Sequence, residues 1–148
     1  MFEHSPWIAE DTWHRRPFAD LDALHLALCE TVRHASQQQQ LALIRAHPDL
    51  VGRAAVAGGL TPASTAEQAS AGLDRLSPEE ITLFQQFNAS YQAKFGFPFV
   101  ICARLNKKDA ILNGFRERMT NSANQEIETA LAEIFKIARL RLLDAGKA

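Results

Sequence analysis

A histidine directly before a proline marks the end of one predicted helix. His47 lies in the run Ala46-His47-Pro48-Asp49-Leu50, and proline disfavours the α conformation in the residue that precedes it. We therefore expect His47 to leave the helix and to lie at a helix-to-loop corner. An imidazole exchanges protons near neutral pH, so His47 is a candidate proton carrier. The alternative is a histidine that the helix dipole stabilises at the C-terminus, without a catalytic role.

A carboxylate near the start of a later helix is the second candidate. The segment Ser64-Thr65-Ala66-Glu67 fits a capping box, in which Glu67 accepts a hydrogen bond from the Ser64 backbone N–H. The same place also allows a functional role, because a helix N-terminus favours anions and developing oxyanions. The spacing alone leaves both interpretations open.

An arginine on the inward stripe of the last helix is the third candidate. The stripe advances by three or four residues at each step and contains Ile127, Leu131, Ile134, Ala138 and Arg141. Because an unpaired buried charge costs several kcal/mol, Arg141 must find an anionic partner or line a cavity. A structural ion pair, or a side chain that reaches solvent near the helix end, are the alternatives. A proton carrier, a carboxylate and a fixed cation together suit a small anionic substrate.

Helices are the elements that would position these side chains. Apolar residues at helical spacing and several N-cap signals indicate them. The first predicted helices cover residues 21–35 and 37–46, and a short helical piece precedes Gly58-Gly59. The next begins at Thr61 or Ser64 and runs to about residue 73, and another covers residues 78–95, with Ser77 as N-cap and Gly96 after its end. The last two run from Asn106 to about 119 and from Ser122 to about 144.

One strand-like run, residues 97–103, has no convincing strand partner elsewhere in the sequence. We interpret it as a buried extended connection or as the start of a helix. No linker, repeat or shift in composition divides the chain. The sequence therefore predicts one compact all-α domain over residues 1–148, with several helices and short extended connections.

Composition and charge narrow the class of protein. The chain of 148 residues is 47% hydrophobic and 22% charged, as in an ordinary globular domain. A net charge of -1 gives no reason to expect a nucleic-acid partner. No apolar run approaches the roughly 20 residues that span a bilayer, and the N-terminus lacks signal-peptide features, so we expect no membrane association and a cytoplasmic location. Cys29 and Cys102 lie in apolar surroundings, which favours buried free thiols over a disulfide or a nucleophile.

Several motifs, spread over nearly the whole chain, together resemble one enzyme family. That family is the 2-oxo-4-hydroxy-4-carboxy-5-ureidoimidazoline (OHCU) decarboxylases of purine catabolism. The motifs are Ser5–Glu10, Arg16–Phe18, Ala46–Leu50, Ser64–Gln68, Ala71–Leu73, Lys94–Ala103 and Leu140–Leu142. Val51 stands where the family pattern leads us to expect alanine, a conservative difference.

The resemblance implies an all-α enzyme, usually a homodimer, that uses no metal or organic cofactor and converts OHCU to (S)-allantoin and CO2. Carried onto this chain, it implies that His47 is the catalytic acid–base and Glu67 its catalytic partner. It makes Arg141 the substrate-binding cation. It also places Pro48, Ser64 and the backbone around Val100 and Ile101 against the substrate.

Two other classes of protein compete with this interpretation. His47-Pro48-Asp49 is also the signature tripeptide of J-domain co-chaperones, but that domain has a basic helix before the tripeptide and a lysine or asparagine directly after it. Here the helix begins with four glutamines, Gln37 to Gln40, and Leu50 follows the tripeptide. A helical interaction module without catalysis remains possible only if the three candidate residues do not converge.

Overall fold

The structure is a computed structural model that describes residues 2–51 and 61–146. The described residues form seven α-helices and no strand, which confirms the predicted all-α class. The α-helices are α1 (Trp7–Trp13), α2 (Leu21–Arg33), α3 (Gln37–Ala46), α4 (Pro62–Ser70), α5 (Pro78–Phe95), α6 (Lys108–Arg118) and α7 (Ala123–Ala145), with one 3₁₀-helix at Ala103–Leu105. The helical piece expected before Gly58-Gly59 lies outside the described residues.

Helix ends follow local capping chemistry. Ser77 and Ser122 each form a capping box at the start of α5 and α7, as predicted for Ser77 and consistent with the start predicted at Ser122. Gly96 ends α5 in the left-handed conformation, with φ of 80°, which costs glycine no strain from a Cβ atom. The helix α1 has no counterpart among the helices predicted from the sequence.

The structure decides the starts of α4 and α6. Thr61 is the N-cap of α4, and its hydroxyl accepts a hydrogen bond from the Ser64 N–H, so Thr61 rather than Ser64 begins that helix. The prediction that Asn106 caps α6 is wrong. The N-cap is Lys107, which makes no side-chain cap, and the Asn106 amide donates instead to the Cys102 carbonyl at 2.9 Å.

One hydrophobic core holds the helices together. α7 packs against α2 and α3, while α5 and α6 pack against each other. Aromatic rings fill the space between α5, α6 and the extended segment; Phe99 stacks on Phe115, and Tyr91 meets Phe99 edge to face. Burial of such large rings supplies much of the free energy that holds the domain folded.

Residues 97–102 run through this core as an extended connection between α5 and the 3₁₀-helix. Phe97, Phe99 and Cys102 are each about 1% exposed. Of the two interpretations of the strand-like run, the buried extended connection is therefore correct. Both cysteines are buried and free, as predicted, and burial raises the pKa of the Cys29 thiol to about 11.

Candidate active site

One pocket brings together residues from distant parts of the chain. It contains about 380 Å³ of atom-free space, part of which is open solvent. Its lining residues include all seven residues that the sequence analysis singled out. Those seven are His47, Pro48, Ser64, Glu67, Val100, Ile101 and Arg141, and Leu50, Gln68, Phe99, Ala103 and Ile137 complete the wall.

His47 follows α3 in an extended conformation, with φ of -75° and ψ of 136°, as a residue before proline should. Its side chain is buried, and Nδ1 lies 3.0 Å from the Leu43 carbonyl oxygen. Because a carbonyl only accepts, Nδ1 must carry the hydrogen in that bond. In the neutral ring, Nε2 is then the nitrogen with a free lone pair, so the bond to Leu43 selects the tautomer that can act as a base.

Burial sets the charge state of His47. It lowers the pKa of the imidazole below its usual value, although the hydrogen bond to Leu43 and the negative charge of Glu3 act in the opposite direction. At neutral pH the ring is therefore uncharged. A helix dipole stabilises a charged histidine, so the alternative role for His47 fits this environment poorly.

Glu67 lies in the second turn of α4, not at its first turn. Its two carboxylate oxygens accept hydrogen bonds from Arg141, from Nε at 2.9 Å and from Nη2 at 2.7 Å. Of the two interpretations of Glu67, the capping box with Ser64 is therefore wrong. The physical reason is that Thr61 followed by Pro62 begins the helix three residues earlier, which leaves the Glu67 carboxylate to the guanidinium.

Arg141 both pairs with carboxylates and lines the cavity. Its side chain is 11% exposed, and it binds Glu67 in the bidentate fork–fork arrangement while Nη2 also reaches Glu3 Oε1 at 2.8 Å. Burial by itself acts to lower the pKa of Arg141, but the hydrogen bonds to Glu67 and Glu3 outweigh it, so the pKa is raised. The guanidinium is thus a fixed positive charge in the pocket wall.

Sequence reasoning missed Glu3. This carboxylate is 2% exposed, and its Oε1 accepts hydrogen bonds from the Ser64 hydroxyl at 2.6 Å, from Arg141 at 2.8 Å and from the Thr61 hydroxyl at 3.3 Å. Burial acts to raise the pKa of Glu3, but the hydrogen bonds from Ser64 and Arg141 outweigh it. The pKa is therefore lowered, and the group is ionised. No local pattern pointed to this residue, because its partners are 58 to 138 positions away.

Two further polar side chains hold the loop that follows His47. Gln68 accepts a hydrogen bond from the Val51 N–H at 3.1 Å, and Asn88 donates to the Leu50 carbonyl at 2.7 Å. Both side chains are buried. These bonds tie the loop that follows His47 to α4 and α5.

The pocket therefore offers a neutral base, a fixed cation held by two carboxylates, and a stretch of extended backbone. Such a set can move a proton and can stabilise negative charge that develops on a small substrate. Within residues 2–51 and 61–146, no three His, Cys, Asp or Glu side chains are arranged to hold a metal ion. No described helix is both long enough and apolar enough to cross a membrane.

A family model and the sequence of a known protein both relate this chain to the OHCU decarboxylases. The family model described as OHCU decarboxylase matches residues 1–143. A 2-oxo-4-hydroxy-4-carboxy-5-ureidoimidazoline decarboxylase of Halalkalicoccus jeotgali is 45% identical over 142 residues, which are 96% of this chain and 78% of that protein.

Solved structures share the fold. The crystal structure of OHCU decarboxylase in the presence of (S)-allantoin matches with a TM-score of 0.80 at 24% identity, over 98% of this chain and 94% of that one. The crystal structure of (S)-allantoin synthase matches with a TM-score of 0.75 at 28% identity, and the match covers 97% of this chain and 46% of that one. The family match and the 45% identical relative show that the chain belongs to the OHCU decarboxylase family.

Proposed function

We propose that this chain is a carboxy-lyase that converts OHCU to (S)-allantoin and CO2 in urate degradation, without a metal or organic cofactor. The observation that carries the proposal is the convergence of His47, Glu67 and Arg141 on one pocket, in a chain that matches the family over residues 1–143. A helical interaction module without catalysis remained possible only if these three residues did not converge, so that condition is not met.

The substrate supplies its own electron sink, because the ring C=N bond at the ureido-bearing carbon lies beside the carbon that loses CO2. The bond from that carbon to the carboxylate breaks, and its electron pair moves into the conjugated system as an enediolate-like anion. His47 Nε2 accepts the hydroxyl proton, so that the carbon that lost CO2 becomes a carbonyl, and it later returns a proton to the neighbouring ureido-bearing carbon, which becomes the stereocentre of allantoin. Acid–base work of this kind contributes ~10²–10⁴-fold to a rate.

The second task of the enzyme is to form a single enantiomer of allantoin. The intermediate also decays without an enzyme, and that route gives racemic allantoin. The imidazole stands on one wall of the pocket and its Nδ1 is tied to Leu43, so a proton from Nε2 reaches one face of the substrate. A single enantiomer of the product is the expected consequence.

The charged residues bind the substrate and stabilise its developing anion. Glu67 and Glu3 hold the Arg141 guanidinium in place, so little reorganisation is needed when charge develops. The Ser64 hydroxyl donates to Glu3 and its oxygen accepts from Arg141 Nη2 at 3.4 Å, so one lone pair is left to accept a hydrogen bond from a ureido N–H. Pro48 and the backbone at Val100 and Ile101 complete the contacts that we assign to the substrate.

The test is to generate the substrate in situ from urate and to follow the chirality of allantoin by circular dichroism. We expect (S)-allantoin to form faster than the spontaneous reaction. A racemic product at the spontaneous rate would refute the proposed activity. A co-chaperone would give that same result, and would also stimulate a chaperone ATPase in a parallel assay.

The resemblance also leads us to propose a homodimer in the cytoplasm. Sedimentation equilibrium of the purified protein would test the first point, with a mass near 33 kDa expected from the 16.4 kDa chain. Fractionation of the source cells would test the second. A monomer, or a signal outside the cytoplasmic fraction, would contradict the respective proposal.

A further inference from the structure

The extended segment that forms one wall of the pocket has no strand beside it in the described part of the chain. Buried backbone N–H and C=O groups need partners, and a ladder would normally supply them. Here two buried side chains from different helices do so. Arg118 of α6 donates from Nη1 to the Val100 carbonyl at 2.6 Å, and Glu133 of α7 accepts from the Cys102 N–H at 3.1 Å.

Arg118 is itself rigidly held. Its Nε donates to Glu126 Oε1 at 2.8 Å, and Glu126 is fully buried. Tyr91 and Asn121 donate to the two oxygens of the same carboxylate, at 2.5 Å and 2.8 Å. The guanidinium also lies 4.2 Å from the centre of the Phe99 ring. Its direction toward Val100 is therefore fixed by several independent contacts.

A buried ion pair is a poor source of stability, because desolvation offsets much of its attraction. Neither Arg118 nor Glu133 is among the residues that line the pocket. Both, however, bind backbone atoms within one residue of Ile101, which does line it. Their position points to a role in setting the direction of that backbone.

Peptide geometry says what direction results. The bond between Val100 and Ile101 is trans, so the Ile101 N–H points opposite to the Val100 carbonyl. When Arg118 holds that carbonyl, the Ile101 N–H is directed away from the Arg118 cluster. No described residue accepts a hydrogen bond from it. The bond from Glu133 fixes the next peptide plane in the same way, so both peptide units of Ile101 are held.

The helix α7 links this arrangement to the charged side of the pocket. Glu133, Ile137 and Arg141 are four residues apart and therefore share one helix face. Ile137 and Arg141 line the pocket, and Glu133 lies two turns before Arg141. One rigid helix thus sets the distance between the guanidinium and the extended segment.

We propose that Arg118 and Glu133 are positioning residues, which hold the backbone from Val100 to Cys102 so that the Ile101 N–H is a preorganised donor toward the substrate. This inference rests on the proposed decarboxylase function. Neither side chain touches the reacting atoms. Their contribution is the fixed direction of a donor, which matters most as negative charge develops.

Glu133 allows a matched test. Glu133→Gln keeps an oxygen that accepts the Cys102 N–H, whereas Glu133→Met removes it at similar size. Lys136→Met is the control, since Lys136 is the exposed ion-pair partner of Glu133 at 2.5 Å and does not contact the segment. We expect Glu133→Met to lower kcat by about 10- to 100-fold, less than the ~10²–10³-fold for loss of an oxyanion donor itself, with a smaller change in KM.

The enantiomeric excess of allantoin separates positioning from stability. We expect it to fall in Glu133→Met and to stay near the wild-type value in Glu133→Gln and Lys136→Met. Arg118→Lys keeps the charge beside Glu126 but loses the forked geometry, so it should resemble Glu133→Met. Circular dichroism and Tm of each variant establish that the folded protein is being compared.

Two outcomes would overturn the inference while the proposed function survives. One is an active wild type whose Glu133→Met variant keeps its kcat and enantiomeric excess. The other is a Glu133→Gln variant as impaired as Glu133→Met. An inactive wild type refutes the proposed function instead, and the catalytic role of the donor fails with it. In that case, amide hydrogen exchange still tests the hydrogen bond from the Cys102 N–H to Glu133. The Cys102 amide should lose its protection from exchange in Glu133→Met and keep it in Glu133→Gln.

Discussion

Replacing Glu67 by glutamine distinguishes two roles of its carboxylate: holding Arg141 in place, or capping a helix. A capping box accepts glutamine as readily as glutamate, so a cap predicts almost no loss of stability. The structure instead places both oxygens of Glu67 on Arg141, at 2.9 Å and 2.7 Å. Glutamine offers one acceptor, and its NH₂ group would face a guanidinium that also only donates.

The size of the effect follows from burial. The side chains of Glu67 and Arg141 are 12% and 11% exposed, so solvent screens the pair weakly. Removing one partner of a buried ion pair costs about 3–5 kcal/mol. Glutamine retains one hydrogen bond and Glu3 still binds Arg141, so we expect the free energy of unfolding to fall by about 2 kcal/mol. For a chain of this length, that lowers Tm by about 4–8 °C.

Two measurements on the same preparation test this reasoning. Thermal unfolding followed by circular dichroism gives the change in Tm, and the urate-coupled assay gives the rate of (S)-allantoin formation. We expect a drop in the rate of about 10²-fold or more, because a carboxylate that orients the cation is lost. Glu30→Gln is the control; it removes an exposed pair with Arg15, worth below about 1 kcal/mol, and should leave activity unchanged. An unchanged Tm together with wild-type activity in Glu67→Gln would refute both the ion pair and its role.

Three further predictions concern His47 and its neighbour Glu3. His47→Asn keeps a polar side chain but removes the titrating ring, so it should still bind (S)-allantoin by calorimetry while the rate falls by ~10²-fold or more; a wild-type rate would exclude His47 as proton carrier. Because burial lowers the pKa of His47, the unfolded chain binds a proton that the folded chain does not, and the stability from this group should be lost as pH falls below about 6.5 toward the folded pKa. Denaturant titrations at pH 5 to 8 should therefore show a smaller pH slope for His47→Asn than for the wild type, and equal slopes would contradict the buried neutral ring. Glu3→Gln keeps the Oε1 atom that accepts all three hydrogen bonds but removes a charge that raises the pKa of His47, so the acid limb of kcat/KM should move to lower pH; no movement would show that Glu3 acts through geometry alone.

Local rules made much of the fold predictable. The end of α3 at His47 depends on the proline that follows, and the starts of α5 and α7 depend on Ser77 and Ser122 with partners three residues ahead. The inward direction of Arg141 follows from the repeat of α7. Each of these signals depends on steps of one to four residues along the chain, for which backbone geometry fixes the distances in advance. The same local reasoning also offered a capping box for Glu67, because Ser64 was a plausible partner nearby and Arg141, 74 positions away, was not visible.

The tertiary structure decided how the side chains pair. Glu67 and Arg141 are 74 positions apart, and Glu3 and Arg141 are 138 apart, so only the docking of α4, α7 and the N-terminal residues brings them within hydrogen-bond distance. The direction of the Ile101 N–H depends likewise on Arg118 and Glu133, which two other helices supply. Residue types and local spacing determined which groups could do chemistry. Their burial, their partners and the charge state of His47 follow from desolvation and from contacts that exist only once the helices have packed.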